Sequence, residues 1–242
     1  MDTIKFNKGN TKIVAHRGLS GIECENTNAA FVAAGNRSYY GIETDVHVTA
    51  DGKFVVHHDN QTGRLFNENI NVEESTYEEL RRLYVTNHHS INGDFSRTDL
   101  VIPTLDDYVS ICKRYNKVSV LELKNAIVKD KLAEILSVID SHGYLDNTII
   151  ISFSWDNLAI IKELRSKQNV QFLTRECDRN LIAKLKENDF DLDIDHKFLN
   201  ESNVNEIRSA KIKLNCWTCD TPDRGEELAN FGLDYITSNI LE

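Results

Sequence analysis

The chain has 242 residues, 40% of them hydrophobic and 27% charged, a balance that excludes a fibrous or intrinsically disordered polypeptide. Its 38 acidic residues outnumber 28 lysines and arginines, for a formal charge of -10. A nucleic-acid or anionic-membrane partner is therefore disfavoured by long-range repulsion, and phosphate would need a local basic pocket.

The opening MDTIKFNKGNTKIVAH lacks a basic start followed by an apolar stretch, and no run approaches the roughly 18 apolar residues of a membrane span. Five cysteines (Cys24, Cys112, Cys177, Cys216, Cys219) are an odd count. These features predict reduced thiols in a soluble, cytoplasmic protein.

Short β-type runs then alternate with segments of helical period. KIVAH at 12–16 is the first strand, and a helix over 26–35 starts at Asn26 or Thr27 and stops at Gly35. GIETDVHV at 41–48 is the second strand. TADGK is too short for a crossover, so FVVHH at 54–58 returns as a hairpin. Residues 60–100 follow as a polar insertion with one helix, opened by Ser75 with Glu78 three residues on. An insertion at that rim is a candidate substrate wall or lid.

The helix over 104–115 is the clearest, because Thr104 and Asp107 have capping-box spacing and Leu105, Tyr108, Val109 and Cys112 form one apolar stripe. Strands over 118–123, 148–153, 170–174, 190–194, 212–217 and 234–238 alternate with helices over 128–141, 155–165, 178–188, 203–210 and 222–231. Pro222 opens the last helix and Gly232 closes it. Eight strands with about one helix per crossover predict an α/β chain, a (β/α)8 TIM barrel forming one domain over 1–242, its final helix missing. An open doubly wound sheet is the competing topology.

Alternation places Glu43 and Asp45 on one face of strand two, their Cα atoms roughly 7 Å apart, and Glu122 and Lys124 have the same spacing on the next parallel strand. Three carboxylates at one rim repel one another unless a cation neutralises them, and oxygen ligands suit a hard ion such as Mg2+ or Ca2+. The bland alternative is solvated strand residues, with Glu122 paired to Lys124.

His16 and Arg17, before the turn at Gly18, supply a proton carrier and a bidentate phosphate donor. His58, followed by Asp59, supplies a second imidazole, while His57 points the opposite way and is structural. His47 shares the acidic face or rises into solvent. His88, His89, His142 and His196 fall in loops or helix ends. Cys216 and Cys219 have CxxC spacing without a second pair, which reads as ordinary buried thiols. Trp217 reaches the mouth as an apolar wall or packs in the core. Asp191, Asp193 and Asp195 share a face, read as a hydrated rim.

IVAHRGLSGIECENTNAAF, GIETDVHVTADGKFVVHHD and VLELK, in this order, together with CWTCDTPDRGEELANFGLDYITSN, resemble the glycerophosphodiester phosphodiesterase family over nearly the whole chain. The resemblance implies one divalent cation, Mg2+ or Ca2+, on Glu43, Asp45 and Glu122, with His16 and His58 as the acid/base pair. It also implies Arg17 and Lys124 as phosphate holders, with Glu25 near Arg17 or the metal. Cys24 stands where the family usually has proline, and Thr44 where it usually has leucine. Neither departure removes a reacting group.

The implied activity is metal-dependent hydrolysis of glycerophosphodiesters to sn-glycerol 3-phosphate and an alcohol. His16 is assigned as base and His58 as acid, with the reverse kept open, and either the glycerol 2-hydroxyl or water attacks. The partner is a small-molecule glycerophosphodiester rather than a nucleic acid, no membrane span is expected, and the oligomeric state is left open. Two other functions compete: a lysophospholipase D or cyclising phospholipase, and a catalytically silent binding module on the same barrel.

Overall fold

In β1 (Lys12–Ala15), Ile13 and Ala15 pack into the layer beneath the helices, whereas Val14 joins Val120, Ile149, Ile151, Leu173 and Tyr235 in a separate cluster. Successive strand side chains point to opposite faces, so a sheet apolar on both must be covered outside and filled inside. The computed structural model describes residues 2–91 and 93–242. The strands after β1 are β2 (Gly41–Val48), β3 (Phe54–Val56), β4 (Val118–Leu123), β5 (Thr148–Ser152), β6 (Asn169–Thr174), β7 (Asp191–Asp195), β8 (Leu214–Trp217) and β9 (Tyr235–Ser238).

Apart from β3, these strands run parallel in the order β8-β7-β6-β5-β4-β2-β1-β9. At the remaining seam, Asp234 N donates to Leu214 O and Cys219 N to Thr237 O, each at 3.1 Å. The result is a nearly closed (β/α)8 barrel rather than an open doubly wound sheet. Among the described residues no helix follows β9.

The helices are α1 (Asn28–Gly35), α2 (Tyr77–Arg81), α3 (Leu105–Arg114), α4 (Lys129–Ser141), α5 (Trp155–Leu164), α6 (Arg179–Asn188), α7 (Glu201–Ser209) and α8 (Pro222–Phe231). All but α2 are barrel crossovers. Thr104 and Asp107 form the reciprocal capping box on α3, whose Tyr108 is buried edge-on to Phe31 of α1 and donates its hydroxyl to Ile42 O at 2.7 Å. That bond satisfies a polar group that burial would otherwise leave unpaired.

The structure corrects three expectations. The helix in the insertion is capped by Thr76 and Glu79, one residue later than Ser75 and Glu78, because the Ser75 hydroxyl turns back to donate to Asn71 O at 2.7 Å. The insertion is not merely polar: Leu65, Phe66, Val72, Leu80, Leu83, Val85, Ile91, Leu100 and Ile102 pack with Cys24 and Val55 into a second apolar cluster. The β2–β3 hairpin pairs His47 with Val55 in antiparallel register, but β3 stops at Val56, leaving His57 and His58 on the loop beyond. The five cysteines are free thiols, and among the described residues no helix is long and apolar enough to cross a membrane.

Candidate active site

β1 ends in a sharp reversal. Arg17 and Gly18 both have positive φ, 54° and 78°, and a Cβ on Gly18 would lie 2.7 Å from the carbonyl carbon of Ala30, so only glycine fits. This turn points Arg17 N at Glu43 Oε2, 2.8 Å away, and brings His16 Nε2 to 3.9 Å from the same oxygen. Parallel register sets Asp45 beside Glu122, and one ligand atom from each of Glu43, Asp45 and Glu122 falls within 4.8 Å of the others.

The three acids are buried and titrate apart. Burial, then the charges of Asp45 and Glu122, push the Glu43 carboxyl well above the ordinary range. Burial also raises Glu122, helped by Asp45 and opposed by Lys124, to about 7. Asp45 goes the other way: burial alone would raise it, but Arg17 and Lys124 hold it below the usual carboxylate range. Arg17 Nε is 3.6 Å from Asp45 Oδ2, and Lys124 Nζ is 3.4 Å from Asp45 Oδ1 and 2.8 Å from Glu122 Oε1. Asp45 Oδ1 is buried without a hydrogen-bond partner. An all-oxygen donor set with mutual repulsion and a buried carboxylate oxygen that makes no hydrogen bond fits a hard divalent cation.

Each imidazole is oriented from behind. His16 Nδ1 meets Asn239 Oδ1 at 2.7 Å, and that amide is fixed because its Nδ2 and backbone N donate to Asp220 at 2.6 and 2.8 Å. Facing an acceptor, Nδ1 carries the proton, which leaves the Nε2 lone pair towards Glu43. Burial, then the Arg17 charge, lowers the His16 pKa to about 4, so this ring is neutral near pH 7. His58 Nδ1 donates to Asp59 Oδ1 at 2.6 Å. Burial lowers its pKa too, opposed by Asp45 and Asp59.

His16, Arg17, Glu43, His58, Glu122 and Trp217 line one cavity of about 190 Å3. Asp45 is buried behind it, and Lys124 borders a neighbouring depression that shares Glu122 and Phe153. A larger cavity, about 690 Å3, opens where Lys12, Tyr40, Asp191 and Tyr235 meet and contains none of these groups, so size does not identify the site. The acid cluster and both imidazoles do.

Several contributors carry no sequence signal. Arg64, from the insertion, places two nitrogens on Glu25 at 2.9 and 2.7 Å and its Nε on Asp59 at 2.6 Å, while Glu25 also accepts from Arg17 at 2.7 Å. Asn26 donates to Asp45 Oδ2 at 2.8 Å and accepts from Thr44 Oγ1 at 2.7 Å, so Thr44 supports an acid it does not face. Asp193 belongs to no hydrated rim: its strand turns it inward, and it is 2% exposed and lines the cavity.

The remaining histidines lie elsewhere. His47 does not rise into solvent but is buried, with Nδ1 2.9 Å from Glu73, and His57 is buried with Nε2 3.3 Å from Gln61 O. His142 pairs with Asp106 at 2.8 Å. His89 reaches Ile22 O at 2.9 Å, with His88 stacked against it, and His196 sits beside Arg224.

The sequence model of the glycerophosphoryl diester phosphodiesterase family matches residues 16–241. An uncharacterized protein of Bacillus subtilis is 28% identical, the alignment covering 96% of each chain. A glycerophosphodiester phosphodiesterase of Bacillus altitudinis is 33% identical over 69% of this chain and 67% of its own. An Oleispira antarctica phosphodiesterase, solved with its product sn-glycerol-3-phosphate, superposes with a TM-score of 0.87 at 25% identity, covering 98% of this chain and 96% of that one.

Proposed function

This phosphodiesterase belongs to the glycerophosphoryl diester phosphodiesterase family, and from that membership we propose that it hydrolyses glycerophosphodiesters to sn-glycerol 3-phosphate and an alcohol. The observation that carries the reading is the opening of His16, His58 and Arg17 onto the same cavity as Glu43 and Glu122 of the acid cluster. Glu43, Asp45 and Glu122 would hold one divalent cation, Mg2+ or Ca2+, whose chemistry there is charge neutralisation beside the phosphate. Free thiols suit a reducing compartment, in keeping with a cytoplasmic enzyme.

Arg17 and Lys124 present donors to the phosphate's equatorial oxygens, where negative charge grows. His16, neutral and with Nε2 free, takes the proton from the attacking hydroxyl. His58, oriented by Asp59 although burial lowers its pKa, gives its Nε2 proton to the departing alcohol oxygen, each transfer contributing about 10²- to 10⁴-fold. Attack by the glycerol 2-hydroxyl yields a cyclic phosphate that water then opens with the two roles exchanged; attack by water gives the products directly. A substrate lacking the 2-hydroxyl distinguishes the routes, because only direct attack survives its loss. Trp217 walls the mouth, and Glu25 steadies Arg17.

The test is release of glycerol 3-phosphate from glycerophosphocholine and glycerophosphoethanolamine after EDTA, then with Mg2+, Mn2+ or Ca2+ restored. Ion-dependent release is expected. No release by folded protein with any ion refutes the reading. Phe153, 45% exposed beside Trp217, supports one competitor, a lysophospholipase D, and faster turnover of lysophosphatidylcholine than of glycerophosphocholine would establish it instead.

A further inference from the structure

Beyond the two imidazoles, Arg17 and the acid cluster, the cavity contains two polar groups that the protein itself leaves unanswered. Asp193 Oδ2 accepts from Asn215 Nδ2 at 3.1 Å, but Oδ1 is buried and has no partner. The indole N–H of Trp217, on the adjacent strand, is likewise buried and unpartnered, and both side chains line the cavity. The neighbouring polar interior is closed on itself. Asn215 Nδ2 also reaches Gln171 Oε1 at 3.4 Å, and Asn215 Oδ1 accepts from Thr237 Oγ1 at 3.2 Å and Cys216 N at 2.9 Å.

Buried polar atoms without partners are rare because each forfeits its hydration without replacement, and two in one ligand-sized recess point to a ligand's own polar groups. We propose that Asp193 is a specificity-determining residue that binds the primary hydroxyl of the substrate's glycerol through Oδ1, with Trp217 Nε1 donating to the same oxygen. A hydroxyl both donates and accepts, so it matches the carboxyl and the indole together. At about 190 Å3 the cavity is small beside the roughly 300–1,000 Å3 of drug-sized ligand sites. It therefore encloses the invariant glycerol phosphate and leaves the variable alcohol at the rim near Phe153 and Arg175. The assignment rests on the glycerophosphodiesterase reading and concerns a hydroxyl that neither route of attack consumes.

The test compares glycerophosphoethanolamine with its analogue in which the primary hydroxyl is replaced by hydrogen, using the metal-loaded enzyme and Asp193→Ala and Asp193→Asn. A site built around a hydroxyl rejects the analogue lacking it, so the wild type should prefer the glycerol compound by about 10- to 100-fold in kcat/KM. Asp193→Ala should lower kcat/KM for the glycerol compound to the level of the analogue while changing the analogue less than about threefold. Asp193→Asn, which keeps the shape and one acceptor, should retain part of the preference, and both variants should bind Mn2+ with wild-type affinity. Equal losses on both compounds, or a wild type indifferent to the hydroxyl, would overturn the assignment while leaving the activity standing. Turnover of neither compound by the wild type would overturn both.

Discussion

Arg64→Ala removes a side chain that ties the insertion to both halves of the site. Its guanidinium braces Glu25, which holds Arg17, and Asp59, which orients His58. Burial alone would raise Glu25, yet the hydrogen bonds and charges of Arg64 and Arg17 hold its carboxyl at about 2 instead of 4.5. That difference is roughly 3 kcal/mol of net preference for the charged form.

Two arginines share the effect, and Arg64 is 42% exposed and partly screened, so its removal should destabilise the fold by about 1–2 kcal/mol near neutral pH. The sign of the pH dependence follows. A depressed carboxyl stabilises the native state fully above its unfolded pKa and loses that contribution as pH falls through the folded value. The gap between wild type and variant, read from urea unfolding, should therefore hold from about pH 7 to about pH 4 and narrow towards about pH 2. Turnover should fall by about tenfold and recover in part with added guanidinium. A gap independent of pH, or absent, refutes the electrostatic account; a gap with unchanged turnover refutes the coupling to Arg17 and His58.

Other outcomes follow from the same geometry. His16→Ala and His58→Ala should each lose at least about two decades of turnover with circular dichroism unchanged; an unaffected His58→Ala would refute the two-imidazole mechanism. Because Glu43 is pushed well up by burial and by its acidic neighbours, Glu43→Gln should raise the Tm measured in EDTA while weakening Mg2+ affinity by calorimetry, and a lower Tm in EDTA would contradict the repulsion. With His16 lowered to about 4, the base is already neutral above about pH 5, so the acid limb of kcat/KM should lie well below the ordinary 6.5 of histidine; a limb near 6.5 assigned to His16 by NMR would refute it.

Strand positions were legible because burial on both faces leaves a dense apolar record: 41–48 and 118–123 match β2 and β4 residue for residue, and Pro222 and Gly232 bracket α8 as their backbone preferences require. The cap of α2 falls one residue late because Ser75 and Thr76 each have a glutamate three residues on and only the competing bond to Asn71 O separates them. The insertion's apolar cluster was hidden because Leu65, Val72, Leu80, Ile91 and Leu100 follow no period. Reactive groups stood out by type and spacing, and Glu25 and Asp59 by adjacency to the motifs, but the other groups that aim them did not. Asn239 reaches His16 across 223 residues and Arg64 reaches Glu25 across 39, and a lone Asn or Arg in a loop carries no local mark. Asp193 was misread because inward and rim positions of a barrel strand share one alternation, and only register with Asn215 distinguishes them.

The pairing of β1 with β9 has a temporal meaning. His16 is set by Asn239, 223 residues away in sequence, so the first strand made is completed by the last. During synthesis at about 5–20 residues per second, the nascent barrel spends most of its assembly with an unpaired edge at β1 and an imidazole free to take either tautomer. Such long-range closure makes folding slow relative to local helix formation. It also leaves the His16 ring without its Asn239 partner until residue 239 has been made.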